Sequence, residues 1–304
     1  MSEHHDQQAR GRRARARRAM STAFVLSGGG SLGAVQVGML RALAEQDIRP
    51  DLLVGTSAGA VNALWVAQHG MSTDSLTRLA RLWQQLRRQD VFPVRPSNVV
   101  HGVLGRSPAL SSSEQLAALV ARHCDIEDLR DAPTAVHMVA ADLLSGNAVL
   151  ISSGSPVDAV RASAAVPGIY PPIWLNDRWL IDGAFASPSG VAHAVRLGAT
   201  EVYVLPTGVP CALSHPPRSA IGVAVHALTL LIEQRLIAEV HQPPRGTTIR
   251  VLPPLCPVSI SAADFSQAAG LIHRAHRASA RWIEEGGLDL LQQDSFLSLH
   301  DHAR

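Results

Sequence analysis

Lysine is absent from this chain: all 27 cationic side chains are arginine. They face 25 acidic residues, so the net charge is only +2 and no global field favours nucleic acid or a membrane surface. Cysteine is nearly as scarce. The three present, Cys124, Cys211 and Cys256, are odd in number, widely spaced and in no CxxC pair. That excludes a disulfide framework and the common zinc and dithiol motifs, and it fits a reducing, cytoplasmic setting. Long apolar runs are missing too. The longest, 221–232, is interrupted by His226 and falls short of the roughly 20 residues a membrane-spanning helix needs. Charged residues make up 17% and hydrophobic residues 46%, which excludes a disordered chain or a coiled coil and leaves a protein with a sizeable core.

The charge is unevenly spread. Residues 1–20 hold arginines 10, 12, 13, 15, 17 and 18 against Glu3 and Asp6, with nothing apolar larger than methionine. This segment is expected to be a disordered, solvated basic tail. A lipid-binding arm ranks second. An export signal ranks last, because the apolar stretch that follows is short and runs straight into glycine. Residues 291–304 read as a frayed end, which leaves 21–290 for one domain.

Within that domain strands and helices alternate. Strands are expected at 22–26, 51–55, 136–141, 148–152, 179–181, 201–205 and 248–252. Helices are expected at 33–46, 58–69, 157–165, 191–197, 219–240 and 262–285. A further helix is capped by Thr73 or Asp74, and another runs to about residue 123 behind a Ser111–Glu114 capping box. This order implies an α/β protein with a mostly parallel sheet covered on both faces. Residues 91–112, rich in proline and glycine, read as a loop that either caps an apolar pocket or packs on the core.

Two glycine motifs lie one strand–helix unit apart. Gly28, Gly29, Gly30 and Gly33 satisfy G-x-G-x-x-G after the first strand. A dinucleotide site also needs an acid at the carboxyl end of the second strand, and the only acid there, Asp51, is at the wrong end. The loop's physics is broader: small residues at a helix start leave N–H groups aimed at negative charge, either a phosphate or an oxyanion formed during reaction. The second motif is Gly55-Thr56-Ser57-Ala58-Gly59, a G-x-S-x-G between a strand and a helix. That context suits a nucleophilic serine on a sharp turn, with the N–H of Ala58 beside it.

A serine nucleophile needs a base. None of the 14 histidines follows a confident strand in glycine-rich company. His193, the best of them, falls inside a helix, and His273 with His276 reads as a solvated helix face. Asp182 ends a strand and precedes Gly183, so it stands at a sheet edge. Its reading as base competes with that of an ordinary turn aspartate. With a usual pKa near 3.9 it would need burial and close contact with the serine to act as a base.

Taken in order, the segments SGGGSLG from Ser27, GTSAG from Gly55, ADLLSG from Ala141, RASAAVPGIYPP from Arg161 and DGA from Asp182 resemble the patatin-like phospholipases. The resemblance implies a three-layer α/β/α fold and hydrolysis of lipid acyl esters by a Ser57–Asp182 dyad. It also implies an oxyanion hole of Gly28, Gly29, Gly30 and Ala58, supported by Gly33, Gly55, Gly59 and Gly183, and no metal or other cofactor. The expected partners are a lipid or fatty-acyl ester and, peripherally, a membrane surface, with no nucleic acid. Two positions depart from the pattern. Leu32 stands where many members carry Arg or Lys, and Phe185-Ala186-Ser187-Pro188 stands where they often have Asn-x-Pro. The classes kept open are a non-catalytic lipid-binding protein, an acyltransferase and a nucleotide-binding oxidoreductase.

Overall fold

Apolar residues alternate between two layers along each central strand, which is how the sheet comes to be buried on both faces. A computed structural model describes residues 21–93, 109–187, 189–213, 215–217, 220–241 and 245–289. The expected tails lie outside these residues, as do positions 94–108 of the proline-rich segment. The elements are β1 (Thr22–Leu26), α1 (Gly33–Glu45), β2 (Leu52–Thr56), α2 (Ala58–His69), α3 (Thr73–Gln85) and the one-turn α4 (Arg88–Val91). Then come α5 (Glu114–Arg122), β3 (Ala135–Asp142), β4 (Ala148–Ile151), α6 (Pro156–Ser163), β5 (Ile173–Leu175), β6 (Arg178–Asp182) and α7 (Val191–Arg196). The chain continues with β7 (Glu201–Leu205), α8 (Ala220–His241), β8 (Thr248–Val251) and α9 (Ala268–Glu284).

The strands form an eight-stranded sheet in the order β5-β6-β3-β2-β1-β7-β8, with β4 also on β3. Strands β3, β2, β1, β7 and β8 run parallel; β4 and β6 are antiparallel to β3, and β5 is antiparallel to β6. Phe24, Leu26, Leu53, Tyr203 and Leu205 point into one core with α1, α2, α3 and α9. Ala23, Val25, Leu52, Val54, Val202 and Val204 point into another beneath α7 and α8. This is the three-layer α/β/α arrangement, and double-sided burial explains why the strands read as continuous apolar runs rather than alternating ones.

Several local expectations are corrected. The cap of α3 is Ser72, whose Oγ accepts from the Ser75 N–H at 3.2 Å. The Ser111 box does not form: its hydroxyl donates to the Pro93 carbonyl, and Ser112 takes the Glu114 N–H instead. Helix α9 begins at Ala268 rather than 262, because the Ala262 carbonyl is held by the Ser31 N–H at 2.8 Å. Strand β5 was not anticipated; it is three residues long and follows Pro171-Pro172. Cys211 and Cys256, distant in sequence, bring their sulfurs to 3.5 Å without a disulfide bond, since they lie on the loops after the paired strands β7 and β8.

Candidate active site

The first loop to the site is the turn from β2 to α2. It is built from small residues because α2 folds back tightly: a Cβ on Gly55 would stand 2.6 Å from the Cα of Ala60, and one on Gly59 would overlap the Leu26 carbonyl. Ser57 sits between them at φ 54°, ψ −121°, a left-side conformation that costs a non-glycine residue energy unless its surroundings enforce it. Its N–H donates to Ser163 Oγ at 3.0 Å, and that hydroxyl donates to the Val139 carbonyl at 2.6 Å.

Asp182 reaches the same point from the opposite direction. Thr56 at the end of β2 faces Val139 of β3, while Asp182 at the end of β6 faces the next residue, Ala140. Val139 and Ala140 also face Leu150 and Val149 of β4, which therefore occupies the other side of β3. β2 and β6 thus share one side and meet end to end, bringing Ser57 and Asp182 together. Gly183 has no room for a Cβ against the Val139 carbonyl. Asp182 is only 3% exposed. Burial pushes its pKa from 3.8 up to about 6, against the opposing pull of hydrogen bonds from the Ser57 side chain and the Ala184 N–H.

The glycine loop after β1 closes the third side. A Cβ on Gly28 would stand 3.0 Å from the Ser57 Cβ, so only glycine lets this backbone approach the serine. The Gly28 carbonyl accepts from the Thr207 hydroxyl at 2.6 Å, and the Thr207 N–H donates to Ser27 Oγ at 3.0 Å. Because the peptide is trans, fixing that carbonyl turns the Gly29 N–H the opposite way. Among the described residues no acceptor is paired with the N–H groups of Gly28, Gly29, Gly30 or Ala58.

A buried amide chain supports this loop from below. Gln36 donates to the carbonyls of Ser27 and Leu205, Asn62 donates to Gly33 and Gln36, and the Trp83 indole donates to Asn62. Every polar atom of the two amides has a partner, so the network fixes the loop without an unsatisfied group. Its sequence signal was a Gln and an Asn set among apolar neighbours in the first turns of α1 and α2, which sequence reasoning passed over. From Trp83 a run of rings extends through Phe265 to Phe92 and Tyr170, with successive centroids 6.4, 6.0 and 5.8 Å apart.

The loop after Asp182 is braced from α8. Arg235 donates to the carbonyls of Phe185 and Ala186, the latter at 3.0 Å, and the Glu239 carboxylate accepts from the Ser189 N–H at 3.2 Å and from its hydroxyl. Leu32 is fully buried in the core and contributes no charge to the site. Among the described residues no histidine bonds to Ser57 or Asp182. His193 is buried on α7 against Arg196, and His276 pairs with Glu45. Asp51 accepts from the Thr22 N–H at 2.8 Å at the amino edge of the sheet, away from the glycine loop. No group of three His, Cys, Asp or Glu side chains among the described residues could hold a metal ion.

A family model described as patatin-like phospholipase matches residues 24–195. The lysophospholipase NTE1 of Phaeosphaeria nodorum is 26% identical over 196 residues, which is 62% of this chain and 12% of that protein. An uncharacterized NTE family protein of Mycobacterium tuberculosis is 29% identical over 182 residues, 59% of this chain and 29% of that protein. The chain therefore spans only a minor part of the length of these relatives. Among solved structures, VipD from Legionella pneumophila aligns with a TM-score of 0.44 at 14% identity, covering 88% of this chain and 67% of that one.

Proposed function

This chain belongs to the patatin-like phospholipase family, and from that premise we propose that it is a serine hydrolase of lipid acyl esters, of phospholipase A or lysophospholipase type, working through Ser57 and Asp182. The observation that carries the reading is the pairing of Ser57, held at φ 54° on its turn, with the buried carboxylate of Asp182. In this mechanism the Ser57 hydroxyl gives its proton to Asp182 as Oγ attacks the acyl carbonyl. The tetrahedral oxyanion is held by N–H groups of the 28–30 loop and of Ala58, each such donor being worth roughly 3–4 kcal/mol in comparable sites. Asp182 then protonates the departing alcohol or lysolipid. It next takes a proton from water, whose oxygen attacks the acyl-enzyme, and the fatty acid leaves as Ser57 regains its proton. The raised pKa of Asp182 places a carboxylate base much nearer neutral pH than an ordinary aspartate.

Fluorophosphonate labelling with mass-spectrometric location of the adduct tests the proposal. The expected result is an adduct on Ser57, absent in Ser57→Ala and formed much more slowly in Asp182→Asn. Labelling of Asp182→Asn at the wild-type rate would remove Asp182 as base, and no adduct on folded wild type, with or without detergent, would overturn the hydrolase reading.

A further inference from the structure

Tryptophan is divided in this chain. Trp65, Trp83 and Trp282 are buried, while Trp174 and Trp179 are 55% and 44% exposed. The exposed pair face each other across the β5–β6 hairpin with ring centroids 5.1 Å apart. The neighbouring β3–β4 turn adds Leu143 and Leu144, 45% and 83% exposed. The Leu143 N–H donates to the Trp179 carbonyl at 2.8 Å, which ties both turns into one tip. These four make up most of the large hydrophobic side chains exposed among the described residues.

On β6, Trp179 precedes Asp182, and on β3, Leu143 follows the Ala140 that Asp182 faces. At about 3.3 Å per residue the tip stands roughly 10 Å beyond the Ser57–Asp182 pair, on the same edge of the sheet. One of the two adjoining turns is tight, with Asn176 and Asp177 both at positive φ. Tryptophan suits the boundary between headgroups and acyl chains, where its ring is buried and its N–H stays wet. The Asp142 carboxylate is taken up by the N–H groups of Leu144 and Ser145 and by Arg178 at 3.5 Å. Asp177 is exposed at the hairpin turn, which disfavours an anionic surface.

We infer that the Trp174–Trp179–Leu143–Leu144 tip docks the protein on a zwitterionic lipid bilayer and so seats the Ser57 edge of the sheet over the headgroups. The inference rests on the lipid-ester reading for its purpose, but its test needs no turnover. Wild type, Ser57→Ala, the Leu143→Ser/Leu144→Ser variant and the Trp174→Ser/Trp179→Ser variant are floated with phosphatidylcholine vesicles. Wild type and Ser57→Ala are expected to float alike, and each tip variant to partition roughly tenfold more weakly or worse. Both tip variants are expected to keep the wild-type far-UV circular dichroism and a cooperative melt, which shows that they fold, and to turn over a water-soluble short-chain ester at the wild-type rate. Wild-type tryptophan emission is expected to shift to the blue on vesicles and to be quenched by brominated phosphatidylcholine.

Failure of wild type to float, or unchanged flotation of both tip variants, would overturn the inference. Tip-dependent dimerisation in light scattering with unchanged flotation would also overturn it, in favour of a contact between copies. Tip-dependent flotation with no hydrolysis of any ester would leave the docking surface standing and remove the hydrolase reading.

Discussion

The amide of Ser57 and the hydroxyl of Ser163 are joined at 3.0 Å, and the same hydroxyl donates to the carbonyl of Val139. One fully buried side chain from the end of α6 therefore pins the strained turn of β2 to the middle of β3. Replacing it with alanine leaves a buried donor and a buried acceptor without partners, a cost of about 1–3 kcal/mol for each. Ser163→Ala is expected to lower the urea midpoint without changing the slope and to reduce kcat on a soluble ester. Loss of stability with full kcat would mean that the turn holds its shape without Ser163.

If Asp182 is the base proposed above, activity and stability are expected to depend on pH in opposite directions. In the proposed mechanism only the ionised form accepts the Ser57 proton, so kcat/KM should fall about tenfold per pH unit below a midpoint near the value of about 6 and level off above it. For stability, the folded chain between pH 3.8 and about 6 keeps a proton that the unfolded chain has released. Stability due to this group therefore decreases as pH rises through that window and does not return above it. Asp182→Asn is expected to gain about 1–3 kcal/mol of stability at pH 8 while losing 10²–10⁴ in turnover. Paired pH–rate and thermal-melting profiles check both limbs, and an activity profile flat from pH 5 to 8 would place the base elsewhere.

Much of this candidate site was legible because its parts are local. The glycine loop, the serine turn and the Asp182 strand end each announce themselves within a few residues, and each is found at a strand's carboxyl end. Double-sided burial gave β1, β2 and β7 plain apolar runs. Long-range partners were not legible. Thr207 meets Gly28 only because β7 pairs with β1, Ser163 meets Ser57 only because α6 packs beside β3, and a lone buried Gln36 looks like any polar residue in a helix. Helix starts were misplaced for the same reason: the 262 segment has helical residues, but Ser31 holds its backbone in a turn.

Thr207 offers a test of how firmly the glycine loop must be held. Its hydroxyl is the donor to the Gly28 carbonyl, and valine has nearly the same shape without that donor. Thr207→Val should leave the fold intact yet free the 28–29 peptide to rotate. A fall in kcat of about tenfold is expected, less than the 10²–10³ seen when an oxyanion donor is itself removed. Because the loop is proposed to hold charge that appears only in the transition state, KM on a soluble ester should stay close to wild type. A change confined to KM would assign the loop to ground-state binding.

Arg235 acts on the site from farther away. It bonds to the Phe185 and Ala186 carbonyls just after Asp182, where the common Asn-x-Pro stretch of the family is replaced. Arg235→Ala removes that brace from an exposed side chain, so the global stability change should be small, about 1 kcal/mol. The loop that covers Asp182 would then admit water, and the desolvation that raises its pKa would weaken. The acid limb of the pH–rate profile is therefore expected to move down from about 6 toward the ordinary carboxylate range, together with a lower plateau in kcat. Arg235→Lys keeps the charge but cannot span both carbonyls, so it should fall between the two. A plateau that drops without any movement of the limb would mean that Arg235 positions the carboxylate without shielding it.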